Sequence, residues 1–191
     1  MALVKIKIYK WEGEFFPFKI KTICGECGLN VKIVKDVAKE FGSLVEIEEI
    51  PWLTYWYKVI LKGGWHAPLV LINKKLFSQG VVVDKDKLRG EIIKEIYKDF
   101  KIEDLGPGNH IFTMPDCGFC KTTKEILNKN NIKFKEHDVI KNNINMQKML
   151  ALVLGKVHPI STPQIFFKGK WIGGTKEILK LEKIGKLKKY V

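Results

Sequence analysis

The chain has 191 residues, 46% of them hydrophobic, and a formal net charge of +13 at pH 7. This apolar content excludes a disordered chain, and the absence of a long apolar run or a signal-peptide core leads us to expect a cytoplasmic protein with no membrane partner. The positive charge would suit a nucleic-acid partner, but Arg89 is the only arginine and the lysines form no basic tract, which disfavours that class.

Hydrophobic periodicity predicts a β-α-β-α-β-β-α order in the first half of the chain. Helices are predicted from Cys24 to the stop at Gly42, over 52–61, and after Asp84, which is a suitable N-cap. The four strands of this order are predicted at 4–8, 44–50, 69–72 and 75–77, and 15–23 is a further extended candidate. The aromatic residues of 52–61 are expected to pack in the core through one wide helix face.

The second half repeats this order after a turn-forming stretch at 103–109. Helices are predicted after Cys117, over 144–154, and from Thr175, as the cap, to about 184. The strands are predicted at 110–114, 133–139, 164–167 and 170–172. We therefore expect two domains, at 1–103 and 109–191.

All four cysteines lie in two Cys-x-x-Cys pairs, Cys24/Cys27 and Cys117/Cys120. Each pair is followed, at nearly the same interval, by a proline and an apolar run, once as Ala67-Pro68 and once as Thr162-Pro163. In a reducing compartment such pairs are catalytic or metal-binding more often than structural. The repetition predicts a duplicated redox domain with a dithiol at the first strand-to-helix turn of each half.

The stretch 109–183 resembles a glutaredoxin through three motifs in the expected order. They are the loop Met-Pro-Asp-Cys-Gly-Phe-Cys-Lys at 114–121, the strand Thr-Pro-Gln-Ile-Phe-Phe at 162–167, and the pair Gly173-Gly174. The stretch 1–100 resembles a thioredoxin-like domain through Cys24/Cys27, the strand after Pro68 and the order of elements. The whole chain is similar in architecture to the tandem protein disulfide oxidoreductases of thermophiles. The resemblance implies an α/β fold of two tandem thioredoxin-like domains, each a three-layer sandwich with a mixed four-stranded sheet.

The resemblance also implies the residues of both sites. The catalytic residues would be Cys24, Cys27, Cys117 and Cys120, and the substrate-binding residues would be Ala67, Pro68, Thr162, Pro163, Gly173 and Gly174. A cis bond before each proline would turn the preceding backbone outward, so that a substrate peptide can pair with it. A helix N-terminus favours the thiolate of the first cysteine, and the second cysteine would resolve the mixed disulfide.

These features predict a dithiol–disulfide oxidoreductase that reduces or exchanges protein disulfides and is recharged by an upstream thiol reductase. No cofactor is predicted. Glutathione is disfavoured, because 113–116 lacks the lysine and 175–176 lacks the acidic residue that glutaredoxins use to hold it. Two alternatives stay open: an iron–sulfur cluster carrier of the monothiol-glutaredoxin kind, and a structural zinc site made by both cysteine pairs. His110, His137 and His158 show no ligand spacing with one another.

Overall fold

A computed structural model describes residues 3–21, 25–156 and 160–190, with the side chains of Phe15 and Tyr190 left aside. The chain divides into two compact units, Met1–Ile96 and Tyr97–Val191. Each unit has a mixed four-stranded sheet with helices against it, which confirms the predicted α/β fold. None of the described helices combines the length and the apolar character needed to cross a membrane.

The first unit has the strand order β4-β1-β5-β6, in which β1 pairs parallel with β4 and antiparallel with β5. A separate hairpin of β2 and β3 lies between β1 and α1. The strands are β1 (Val4–Lys10), β2 (Gly13–Phe15), β3 (Phe18–Ile20), β4 (Val45–Pro51), β5 (Leu69–Ile72) and β6 (Lys75–Gln79). The helices are α1 (Gly25–Lys39), α2 (Trp56–Ile60), α3 (Lys85–Ile96) and a 3₁₀ helix at Gly42–Leu44.

The second unit has the strand order β10-β9-β7-β8, in which β7 pairs parallel with β8 and antiparallel with β9. The strands are β7 (Asn109–Thr113), β8 (Lys135–Asp138), β9 (Gln164–Phe167) and β10 (Lys170–Gly173). The helices are α4 (Gly118–Lys129), α5 (Asn143–Val153), α6 (Thr175–Lys183) and 3₁₀ helices at Ile102–Leu105 and Leu187–Tyr190.

Alternation along β7 shows how helices cover both faces of the second sheet. Ile111 packs in a cluster with α4 and α6 residues, whereas its neighbour Phe112 packs in a cluster with Met149 and Val153 of α5. Successive side chains of a strand point to opposite faces, so the sheet is the middle of three layers. Because β7 and β9 are antiparallel, with Phe112 opposite Gln164, the loop after β7 and the loop before β9 lie at the same edge of the sheet.

The structure corrects two predictions in the first unit. The segment predicted as one extended strand at 15–23 contains the turn and second strand of the β2–β3 hairpin, with Phe16-Pro17 at the turn. The helix predicted over 52–61 is shorter, because Pro51 still pairs with Lys10 in the sheet and turns fill the gap before Trp56.

The aromatic residues of this stretch also divide in two. Trp52 and Tyr55 pack against the core cluster of Tyr9, Val59 and Leu69, as expected. Trp56 and Tyr57 are 42% and 47% exposed, so for them the core-packing prediction is wrong. The short helix turns only one of its sides to the sheet.

Two further details differ in the second unit. The N-cap of α6 is Gly174, so Thr175 does not cap the helix as predicted; Thr175 is instead buried as its first residue. The second unit also begins at Tyr97, before the start at 109 expected for the second domain. In this earlier stretch Phe100, Ile102 and Leu105 pack against the cluster around Phe112.

Candidate active site

The dithiol loop connects the end of β7 to the start of α4. Cys117 is the N-cap of α4 and has an extended backbone, and its sulfur accepts a hydrogen bond of 3.1 Å from the Cys120 N–H. Cys117 and Cys120 are joined by a disulfide, with their Cα atoms 5.2 Å apart. Cys117 is partly exposed, whereas Cys120 is only 2% exposed in the first turn of the helix. An incoming molecule therefore reaches the sulfur of Cys117 first.

The loop before β9 lies against this disulfide. The Sγ atom of Cys117 lies 3.9 Å from the carbonyl oxygen of Thr162, and the Thr162 hydroxyl donates a long hydrogen bond of 3.8 Å to the same sulfur. The Thr162–Pro163 and Ala67–Pro68 bonds are both cis, as the resemblance implies, and Phe16–Pro17 is a third cis bond that the sequence analysis did not anticipate. Residues far apart in the sequence thus meet at one edge of the sheet.

Gly173 and Gly174 complete the same region. A Cβ atom on Gly174 would lie 3.3 Å from the carbonyl oxygen of Pro163, and one on Gly173 would lie 2.8 Å from Cγ of Glu177. Gly173 also has a φ of 117°, a conformation that side chains rarely adopt. Together with Phe119 and Trp171 these glycines line a groove of about 480 Å³, which we call the glycine groove.

A second cavity, of about 840 Å³, opens on the dithiol from the β8 side. Its walls include Cys117, Cys120, Lys121, Lys124, Glu136 and Lys141. The Glu136 carboxylate accepts a hydrogen bond of 2.6 Å from the Thr113 hydroxyl and one of 2.9 Å from Lys124. These two hydrogen bonds hold the pKa of Glu136 below its ordinary value, and the bond from Thr113 has the larger effect. The carboxylate is therefore ionised and paired at neutral pH.

The sequence analysis did not predict that His110 of β7 and His137 of β8 are in contact. Nδ1 of His110 lies 2.9 Å from Nε2 of His137, and the two rings are stacked. Nε2 of His110 lies 3.0 Å from the carbonyl oxygen of Gly106, which can only accept, so we assign a proton to that nitrogen. Burial, reinforced by the charges of His110 and neighbouring lysines, lowers the pKa of His137 to about 4. Only the parallel register of the two strands brings these rings together.

The first unit has a comparable, partly described site. Cys24 lies outside the described residues. Cys27 is 4% exposed in the first turn of α1, and its sulfur accepts a hydrogen bond of 3.4 Å from the Trp11 N–H. Ala67 is partly exposed and Pro68 is buried, with the Pro68 carbonyl accepting from Gly80 N–H at 2.8 Å. A cavity of about 620 Å³ is lined by Cys27, the hairpin and the turn before α2.

Asn30 is a second residue that the sequence analysis missed. It is fully buried, donates to the Val81 carbonyl at 3.0 Å and accepts from the Val83 N–H at 2.6 Å, and so ties α1 to the segment before α3. The sequence did carry a signal for this buried residue, since an asparagine stands among the apolar positions of the predicted helix. Across the part of the chain that the structure describes, no group of three or more His, Cys, Asp and Glu side chains is placed to hold a metal ion.

Comparison with known proteins places these features in context. The Glutaredoxin family model matches residues 110–172. Glutaredoxin-2 of Schizosaccharomyces pombe is 34% identical over 83 residues, which cover 42% of this chain and 73% of that protein. Monothiol glutaredoxin-S17 of Arabidopsis thaliana is 35% identical over 77 residues, which cover 39% of this chain and 14% of that protein. A buckwheat glutaredoxin–glutathione complex is a structural neighbour, with 17% identity, a TM-score of 0.43, and coverage of 53% of this chain and 88% of that one.

Proposed function

We propose, from the premise that the chain belongs to the glutaredoxin family, that Cys117 and Cys120 reduce or exchange the disulfides of protein clients. The family supports a thiol–disulfide oxidoreductase of the glutaredoxin type. The choice of protein clients and the role of each cysteine are our proposal. A cytoplasmic location and an upstream thiol reductase as the electron donor belong to the same proposal.

The single observation that carries this proposal is the Cys117–Cys120 disulfide at the start of α4, beside Thr162. The unpaired N–H groups of a helix N-terminus stabilise negative charge, so this position favours a thiolate on Cys117 in the reduced protein. The Cys120 N–H already points at that sulfur. The more exposed cysteine is thus the one whose negative charge the helix stabilises.

The reaction begins with attack of the Cys117 thiolate on a client disulfide. A bond forms between Cys117 and one client sulfur, the client S–S bond breaks, and the other client sulfur leaves as a thiolate that takes a proton from solvent. Cys120 then loses its proton to solvent and attacks Cys117, which forms the intramolecular disulfide and releases the second client thiol. Two electrons pass from the dithiol to the client, and a dithiol reductant returns them.

The pair Cys24/Cys27 is proposed to work in the same way, with Ala67 and Pro68 beside it. Two features support this. Cys27 is buried in the first turn of α1, as Cys120 is in α4, and Pro68 immediately precedes its buried strand, as Pro163 precedes β9. Both cysteines are the third residue of their helix.

The iron–sulfur alternative is less well supported. The likeness to a monothiol glutaredoxin favours it, since such carriers use the loop cysteine and glutathione as ligands. Here Cys120 stands within bonding distance of Cys117 and competes for its sulfur. The segments 113–116 and 175–176 also lack the lysine and the acidic residue with which glutaredoxins hold glutathione. Visible absorbance of anaerobically purified protein would favour the carrier.

Insulin reduction by dithiothreitol tests the proposal, with two single variants as each other's control. Cys117→Ser should abolish the contribution of this site, because no nucleophile is left. Cys120→Ser, prereduced and freed of dithiothreitol before it is mixed with insulin, should leave Cys117 covalently attached to the client, because no second thiol resolves the mixed disulfide, and intact mass spectrometry would detect the adduct. Adducts on Cys117→Ser, or unchanged turnover in a variant that lacks both Cys24 and Cys117, would refute the proposed roles.

A further inference from the structure

We infer that the β2–β3 hairpin is a binding arm for apolar segments of the polypeptides on which Cys24 and Cys27 act. The inference rests on the proposed function of this cysteine pair, and it names the kind of client that the first unit selects. The hairpin stands between β1 and α1, in the connection that leads to the pair. The second unit has only the loop 114–117 between β7 and α4, so the hairpin distinguishes the first unit.

The first step is that the hairpin has one charged face and one apolar face. Residues opposite each other on paired strands share a face, and successive residues of a strand alternate between faces. Glu14 is opposite Lys19, and the two side chains form an ion pair on one face. Gly13 is opposite Ile20, and Phe18 lies two residues before Ile20, so these three belong to the other face.

The second step is that the body of the unit covers only the base of this apolar face. A Cβ atom on Gly13 would lie 3.2 Å from Cβ of Pro51, so the face turns toward the end of β4. Ile20, opposite Gly13, is partly buried. By contrast, Phe18 is 67% exposed, and Phe16, in the turn of the hairpin, is 96% exposed. The apolar surface of the hairpin therefore continues into solvent beyond the surface against which its base packs.

The third step is that the base of this face opens into the cavity at Cys27. The wall of this cavity of about 620 Å³ includes Ile20, Trp11 and Cys27. The Trp11 ring is 39% exposed and lies against Trp52, with the ring centroids 5.2 Å apart. Each hairpin strand has three residues, so at about 3.3 Å per residue the turn lies roughly 10 Å from the base. A client held at the cysteine pair can reach the hairpin with residues about three positions from its own cysteine.

The fourth step is that the charges around the cavity are compensated within the protein. Four of the charged residues in its wall form two ion pairs, Lys10 with Glu12 at 2.9 Å and Lys19 with Glu14. Lys21 is the remaining charged residue of the wall. A charged ligand would compete with these pairs, whereas an apolar side chain uses the surface that they leave. The site therefore fits an uncharged, apolar stretch of polypeptide.

The size of the exposed surface favours a transiently bound client over a second copy of the chain. With about 200 Å² for each aromatic side chain, the exposed parts of Phe16, Phe18 and Trp11 add to roughly 400 Å². A stable interface buries about 800 Å² on each partner, which is twice this area. A patch of this size suits a client that is bound, reduced and released.

Single turnover of two peptide disulfides by the full chain tests the inference. The background variant Cys117→Ser/Cys120→Ser confines the reaction to Cys24 and Cys27. Each probe is the symmetric disulfide of a short uncharged peptide with one cysteine, which carries either leucine or serine at the second and third positions on both sides.

Prereduced protein, freed of reductant, is mixed with a probe below saturation, and the released peptide thiol is measured after acid quenching. Each rate is divided by the rate of dithiothreitol with the same probe, which removes the difference in intrinsic reactivity. We expect the background variant to prefer the leucine probe by about tenfold, because that probe places apolar side chains on the hairpin.

Two double variants in this background examine the hairpin itself. Phe16→Ser/Phe18→Ser should reduce the preference to about twofold or less, while the rate with the serine probe stays unchanged because the cysteines are unaltered. Phe16→Leu/Phe18→Leu keeps apolar side chains at both positions and should retain most of the preference. Leu3→Ser is the matched control, since Leu3 is 57% exposed and precedes β1, at the end of the strand away from the hairpin. It should leave the preference unchanged.

The outcomes separate this inference from the function on which it rests. If the background variant reduces both probes equally, or if Phe16→Ser/Phe18→Ser keeps the preference, the role of the hairpin is refuted and the oxidoreductase stands. If light scattering shows a wild-type dimer that these serine substitutions dissociate, the hairpin is a contact between copies and the inference is refuted. If the background variant reduces neither probe, the proposed function of Cys24 and Cys27 fails, and the inference fails with it.

Discussion

Acidification should weaken the second unit through His137. The pKa of this ring is lowered to about 4, mainly by burial and then by the charges of His110, Lys135 and Lys148. An unfolded histidine has a pKa near 6.5. Between these values the unfolded chain binds a proton that the folded chain does not, so stability is full above the unfolded pKa and falls as the pH decreases.

The size of the effect follows from the same two pKa values. Proton linkage gives a loss of about 2 kcal/mol in the free energy of unfolding between pH 7 and pH 5 for a shift from 6.5 to about 4. His137 is only half-buried, so we halve this for solvent screening to about 1 kcal/mol. The carboxylates of Glu136 and Asp138 on the same strand have pKa values held below their ordinary range by hydrogen bonds, so they stay ionised in this window.

Native-state hydrogen exchange measures this loss locally and contains its own control. Amides of β7, beside His137, should lose about 1 kcal/mol of protection free energy from pH 7 to pH 5, while amides of β1 in the first unit should change much less. His137→Gln supplies an amide donor for His110 that does not titrate, so its β7 amides should lose the pH dependence. Equal losses in β1 and β7, or the same pH dependence in the variant, would refute the reasoning.

Two predictions concern the stability of the first unit, measured by urea unfolding. Asn30→Ala should lower the free energy of unfolding by about 2 kcal/mol, because it leaves the buried Val83 N–H without its acceptor, whereas Lys32→Ala on an exposed face of the same helix should change little. Gly64→Ala should lower the free energy of unfolding by about 1–3 kcal/mol, because the added Cβ would overlap Leu69 and lie 2.7 Å from Val59. Gly28→Ala should be neutral or stabilising, because this helical position has open space where the Cβ would lie. The reverse order of the two variants would contradict the packing argument.

The sequence predicted those elements whose signal is local. Alternation identified β1, and the fully apolar run 69–72 identified β5 as a strand covered on both faces. Asp84 does cap α3, with its carboxylate accepting from the N–H groups of Asp86 and Lys87. The repeated order of elements around two cysteine pairs then gave the fold, because few topologies join such units with short connections.

Features that depend on register or on competing partners could not be predicted in this way. Phe112 faces His137 across β7 and β8, and this offset exists only once the strands have paired. Thr175 looked like a helix cap, but its hydroxyl bonds to Thr123 and the Phe119 carbonyl, and Glu177 satisfies the Gly174 N–H instead. In both cases the side chain's contact depends on a partner that lies far away in the sequence.

The two units show how a repeated framework can hold cysteines in different surroundings. Cys27 and Cys120 are both buried in the first helical turn, so burial of the second cysteine comes from the shared strand-to-helix geometry. Their neighbours differ because the first unit inserts the β2–β3 hairpin between strand and helix, where the second has only a short loop. In the first unit the cavity at Cys27 is walled by Trp11 and the hairpin, and in the second the groove beside Cys117 is walled by Phe119 and the glycine pair. If both units act as we propose, these walls and not the buried sulfurs would contact a client, so the difference between the units would affect which clients each accepts more than the chemistry of its cysteines.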